Sequence, residues 1–247
     1  MPVLRIYEHG EALSRAAAEL FAEQARAAVA DRGRFVVLLA GGSTPRRAYE
    51  LLAEEPLVSR VPWPDCHFFW GDERCLPEGH QLRNETMARQ ALLDRLPIPT
   101  TQIHPIRYHQ KPAQAASDYV TELRRFFAGQ SPRFDLILLG LGDDGHTASL
   151  LPGSAALHEQ EQWTAVTRRP EEPFSRVTLT VPLLNRGACT VFLVSGRGKA
   201  AVLQSIFGAT DTQGTLPAQF IRPDRAEAVW LVDREAASLL EEGHGGG

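Results

Sequence analysis

Several common function classes lack support in this chain. Its 247 residues hold three cysteines, Cys66, Cys75 and Cys189, an odd number at wide spacing. A disulfide framework is therefore not expected, and a reducing compartment is. No run approaches the roughly 18 apolar residues that a bilayer crossing needs, so no membrane association is expected. The opening MPVLRIYEHG has no apolar stretch long enough for a secretory signal, and the expected location is cytoplasmic. Basic residues number 26 against 30 acidic ones, for a net charge of −4. With no overall basic field, nucleic acid is not an expected partner. An anionic small molecule would need a local cluster of cations. His67, Cys75, His80, His104 and His109 lack metal-ligand spacing, and neither a metal nor a cofactor is expected.

What is present is an ordinary globular composition, 43% hydrophobic and 23% charged. Residues 1–241 are expected to form one α/β domain, most simply a monomer, and residues 242–247 a disordered tail. Strand and helix patterns alternate. Strands are expected at Leu4–Tyr7, Arg34–Ala40, Cys66–Trp70, Phe134–Leu139, Trp163–Thr167, Arg176–Thr180, Thr190–Val194 and Ala228–Val232. Helices are expected at Glu11–Ala30, Pro45–Ala53, from an Asn84 cap to Leu93, at Pro112–Phe127, at Gly198–Phe207 and from Arg234. The runs RFVVLLA and FDLILL are apolar throughout, as strands covered on both faces are. This pattern predicts a mostly parallel sheet flanked by helices, with ligands beyond the C-terminal strand ends. Four such ends carry unusual loops: AGGSTP, WGDERCLP, GLGDDGHTASL and VSGRGK.

GLGDDG formally matches the dinucleotide fingerprint G-x-G-x-x-G, but the chemistry argues against that reading. Asp143 and Asp144 would repel a pyrophosphate, and Pro152-Gly153 would cut the following helix short. The loop instead presents His146, expected at the start of a short helix whose N-terminus favours a neutral imidazole. LLAGGSTPRRAYELL runs from a strand through Gly42, Ser43 and Thr44 into a helix, which suits a phosphate monoester. It lacks the Gly-Lys-Ser/Thr of a P-loop, and Pro45 replaces the last glycine of a nucleophile elbow. Simple helix capping by Ser43 or Thr44 is the plainer alternative. Arg74 and Lys199 follow strands on the same rim, with Arg46, Arg47 and Arg197 near. Asp72 or Asp144 is expected to orient His146. Glu73 pairs with Arg74, helps to orient His146 or simply faces outward.

These segments resemble the 6-phosphogluconolactonase family. The motifs are GGSTPRRAYELL, WGDERCLP, NETMARQALL, FDLILLGLGDDGHTASLLPG, VPLLNRG, VSGRGKAAVL, LPAQFIRP and WLVD, in family order from about Gly41 to Asp233. The resemblance implies a Rossmann-like fold with a small additional lobe, shared with ribose-5-phosphate isomerase and the CoA transferases, and no metal. It also implies that His146 is catalytic and that Gly42, Ser43, Thr44, Arg74 and Lys199 contact a phosphosugar lactone. Two positions depart from the family's usual pattern. Arg83-Asn84 stands where Ser-Asn is usual, and Asp143 where Pro is common, leaving a loop that is more mobile or more negative. The expected reaction is hydrolysis of 6-phospho-D-glucono-1,5-lactone, with His146 taking a proton from water and returning it to the departing ring oxygen. The alternatives are a glucosamine-6-phosphate deaminase-like enzyme and a non-catalytic sugar-phosphate sensor. The first needs further acidic residues that these motifs lack. The second usually carries a DNA-binding segment, and none is evident.

Overall fold

A computed structural model describes residues 2–208 and 216–241. The expected tail at residues 242–247 lies outside the described residues. Six strands form one sheet: β1 (Val3–Tyr7), β2 (Phe35–Leu39), β3 (Cys66–Trp70), β5 (Phe134–Leu139), β8 (Gly187–Val194) and β9 (Val229–Asp233). Their order is β1-β9-β8-β5-β2-β3 and every pairing is parallel. Three short strands form a second sheet, β4 (Asp72–Arg74), β7 (Arg176–Leu179) and β6 (Thr164–Thr167), antiparallel in the order β4-β7-β6. The helices are α1 (Gly10–Arg32), α2 (Ser43–Leu52), α3 (Asn84–Ala91), α4 (Pro112–Phe126), α5 (Val181–Leu184), α6 (Ala200–Phe207) and α7 (Arg234–Glu241).

The apolar runs become the strands that are covered on both faces, and every residue of β2 and β5 is buried. α1 begins where His9 Nδ1 accepts from the Ala12 amide at 3.2 Å, and it ends at Gly33, whose φ of 71° an L side chain rarely adopts. Its buried face is rich in alanine, with Ala17, Ala18, Ala22 and Ala25, and this lets the helix lie close to its neighbours.

The chain winds from β2 outward to β3, returns to β5 on the other side of β2, and continues to β8 and β9. The winding direction therefore reverses between β2 and β5. At such a switch point the two following loops diverge and leave a crevice beyond the strand ends. The two loops are Gly41–Thr44 and the segment from Gly140 to His146.

Buried tyrosines fix both rims of that region. The Tyr49 hydroxyl accepts from the Ala40 amide at 2.9 Å and donates to the Ala40 carbonyl at 3.0 Å. The Tyr119 hydroxyl does the same at Trp70, 3.0 Å each way. Burial pushes both phenols well above their ordinary value.

Candidate active site

The crevice is a cleft of about 290 Å³, lined by both loops and by Asp72, Arg74, Asn84, Arg176, Ser195 and Lys199. That size suits a small ligand.

α2 starts at Ser43, two residues earlier than expected, with Gly42 before it at φ 107°. Ser43 and Thr44 thus lie in the first turn, where backbone N–H groups have no partner inside the helix. Pro45 is the third helical residue and has no N–H to leave unpaired. A Cβ on Gly41 would meet Asn84 Oδ1 at 1.9 Å, so a larger residue there would displace the Asn84 side chain from Asp72 and Arg74. Arg46 and Arg47 turn to other partners, Arg46 to Glu50 at 3.0 Å and Arg47 to Glu11 at 2.8 Å.

The loop after β5 is a tight turn. The Gly142 amide donates to the His146 carbonyl at 2.8 Å and the Gly145 amide to the Gly142 carbonyl at 3.0 Å. A Cβ on Gly142 would lie 1.9 Å from His146 Nδ1, and Gly145 has φ 79°. Gly142 therefore makes room for the imidazole, and Gly145 allows the turn that precedes it. No helix follows His146, contrary to expectation. Ala148 takes φ 48°, in the left-handed region, and Thr147 Oγ1 donates back to the Gly140 carbonyl at 2.9 Å. The helix dipole expected to act on the imidazole is thus absent, and charged side chains take its place.

Asp144 Oδ1 lies 2.5 Å from His146 Nδ1 and accepts from the His146 amide at 3.1 Å. Burial alone would raise the Asp144 carboxyl, but the His146 and Arg169 contacts overcome it and hold the group down at about 2. Asp72, the other expected orienter, points elsewhere. It is buried, accepts from Asn84 Nδ2 at 3.1 Å and takes a hydrogen bond from the Ser149 hydroxyl. Asp72 therefore holds the cleft wall, and its side-chain hydrogen bonds go to Asn84 and Ser149, not to the imidazole.

The Asp-Glu-Arg segment is strand β4, not the loop expected. Glu73 faces inward and is 1% exposed, whereas an outward-facing charge was one expectation. Its carboxylate accepts from the amides of Arg74, Asn84 and Glu85 at 2.7 to 2.8 Å. Glu73, not Asn84, caps α3. Burial pushes the Glu73 carboxyl up to about 7, against the pull of the Arg83 guanidinium and those amides. Asn84 is freed to face the cleft and accepts from Arg74 Nη1 at 2.7 Å. Arg83, where the family usually has Ser, is 1% exposed and binds Glu85 and the Ile106 carbonyl at 2.8 Å each. It does not line the cleft.

Lys199 follows β8 through a loop held by Asp233, which accepts from the Gly196 amide at 3.0 Å and from the Ser195 hydroxyl at 2.5 Å. Lys199 Nζ meets Asp143 Oδ1 at 2.5 Å, which gives Asp143 a partner. Two cations escaped sequence reasoning. Arg176 opens β7 and pairs with Glu172 at 2.8 Å. Arg169 follows β6 and reaches Asp144 Oδ2 at 2.7 Å. Their only sequence signal is an arginine at each strand edge. Among the described residues, no group of three or more His, Cys, Asp or Glu is placed to hold a metal ion. No helix there is long and apolar enough to cross a membrane.

Residues 8–230 match the family described as glucosamine-6-phosphate isomerases/6-phosphogluconolactonase. A 6-phosphogluconolactonase of Synechocystis is 44% identical over 86% of this chain and 88% of its own length. The human 6-phosphogluconolactonase is 37% identical over 96% and 93%. The solved 6-phosphogluconolactonase of Trypanosoma brucei superposes with a TM-score of 0.84 at 29% identity, over 97% of this chain and 99% of that one. A monomeric glucosamine-6-phosphate deaminase shares the fold with a TM-score of 0.80 at 18% identity, over 96% and 99%.

Proposed function

The chain belongs to the glucosamine-6-phosphate isomerase/6-phosphogluconolactonase family, and from that premise we propose that its cleft hydrolyses 6-phospho-D-glucono-1,5-lactone to 6-phospho-D-gluconate. The observation that carries the reading is one cleft lined by His146, a histidine backed by a carboxylate, and by a helix-start loop suited to phosphate.

The 2.5 Å contact between Asp144 and Nδ1 requires a proton between them, which assigns Nδ1–H and leaves the Nε2 lone pair to act as base. His146 takes a proton from water, whose oxygen attacks the lactone carbonyl. The tetrahedral oxyanion collapses, the bond to the ring oxygen breaks, and the imidazolium returns its proton to that oxygen. Such acid–base help is typically worth about 10²–10⁴-fold. Gly42, Ser43, Thr44 and Lys199 hold the phosphate, and Arg74 faces the developing oxyanion. Arg74 suits that role because Asn84 Oδ1 and the Leu82 carbonyl fix its position without neutralising its charge.

The deaminase reading needs a further carboxylate beside the histidine loop. Thr147, Ala148 and Ser149 follow His146 there, and Ser149 is committed to Asp72. We read the protein as a monomeric cytoplasmic enzyme, which size-exclusion chromatography with light scattering and cell fractionation can check. The test of function is a coupled assay for 6-phosphogluconate above the spontaneous rate. His146→Ala is expected to lose at least about 100-fold in kcat. Turnover near that of the parent protein would end the assignment. Ammonia release from glucosamine 6-phosphate would favour the deaminase.

A further inference from the structure

We propose that Arg169 is a positioning residue for His146, fixing the Asp144 carboxylate and opposing a positive charge on the imidazole. The inference rests on the reading of His146 as the base. Arg169 lies on the loop after β6, whereas Asp144 and His146 sit on the loop after β5. One guanidinium nitrogen of Arg169 donates to Asp144 Oδ2 at 2.7 Å and lies 2.8 Å from His146 Nδ1. Its other terminal nitrogen lies 3.4 Å from Glu171.

A guanidinium stays charged and has no lone pair to offer. It therefore cannot accept the Nδ1 proton, and Asp144 Oδ1 does so. Arg169 acts on the ring through charge and through Asp144. When Nε2 takes the proton of water, the ring becomes a cation within hydrogen-bond reach of another cation. Like charges at that range disfavour the protonated form, while Asp144 favours it. Arg169 thereby opposes protonation of the ring and makes the imidazolium a readier donor to the ring oxygen.

The other charged groups lining the cleft are engaged elsewhere. Asp72 binds Asn84 and Ser149, Arg74 binds Leu82 and Asn84, Arg176 binds Glu172, and Lys199 binds Asp143. Among the described residues, Arg169 is the cation in contact with the ring.

A purely structural tether would change stability and kcat without moving a titration. The test uses Arg169→Gln, Arg169→Lys and His146→Ala in the full chain. It reads the pH profile of kcat/KM and the titration of the His146 ring nitrogens by NMR without substrate. Arg169→Gln is expected to move the acid limb and the NMR midpoint upward by about one pH unit. Arg169→Lys keeps the charge and is expected to return the midpoint most of the way to that of the parent protein. Unchanged midpoints in Arg169→Gln, with His146→Ala inactive, would overturn this inference alone. Turnover retained in His146→Ala would overturn both readings.

Discussion

Lys199 Nζ lies 2.5 Å from Asp143 Oδ1, and the aspartate side chain is 77% exposed. If Lys199 holds the phosphate as proposed, a carboxylate that already occupies its ammonium competes with the incoming phosphate. Exposed pairs of this kind are worth about 0.2–1 kcal/mol, so the competition is modest. Asp143→Asn is expected to lower KM for the lactone about two- to fivefold, leaving kcat unchanged. Inhibition by inorganic phosphate should tighten in parallel. An unchanged KM would remove Lys199 from the phosphate site. At this scale, the placement of His146 and Lys199 at the cleft, and of Asp144 beside His146, was legible because each follows a readable strand. It offered Asp72 and Asp144 as equal candidates to orient His146, and only their partners separate them. Arg169 was out of reach, because its contact with the imidazole joins segments 23 positions apart in sequence.

The element that places the Gly41–Thr44 loop, proposed to bind phosphate, is α2, through Tyr49. Removing its hydroxyl leaves a buried N–H and a buried carbonyl at Ala40 without their partner. Tyr49→Phe is expected to cost about 1–3 kcal/mol of stability in urea denaturation and to raise KM more than it lowers kcat. A fall in kcat at constant KM would contradict the view that α2 serves the phosphate end. The long elements were readable from their patterns, since β2 and β5 are continuous apolar runs and α1 is Ala-rich with apolar residues near helical spacing. The short ones were not. β4 has three residues, all charged, and exists because β7 and the start of α3 lie beside it. The helix expected after His146 fails because the loop closes on itself through Thr147 and Gly140. Pattern matching along the chain registers neither kind of contact.

At the scale of the molecule, the parallel sheet followed from strand–helix alternation, while the order of its strands, and with it the switch point, emerges only in three dimensions. The half of the fold distant from the cleft carries its own pH response. His104 Nδ1 lies 2.7 Å from Glu122 and His104 Nε2 lies 3.2 Å from His67 Nδ1. Burial, with help from His104 and Arg34, pushes His67 down to about 4. The unfolded chain protonates this residue near its ordinary value of about 6.5. The stabilising contribution is therefore complete above that pH and is lost as pH falls through about 4. Discounted for screening at a half-buried group, it is on the order of 1–2 kcal/mol. His67→Phe is expected to flatten the dependence of unfolding free energy on pH between about 6.5 and 4, whatever it does to the baseline. A slope equal to that of the parent protein would contradict it. The two tyrosine hydroxyls have a consequence on the same scale. Strand ends beside a ligand crevice ordinarily fray and exchange their amide hydrogens through small local openings. The Ala40 amide donates to one of these hydroxyls and the Trp70 amide to the other, so both are sealed at that rim. Deuterium uptake there then waits for cooperative opening of the whole sheet. These two amides, at the strand ends that lead into the cleft, are expected to report the global stability of the fold.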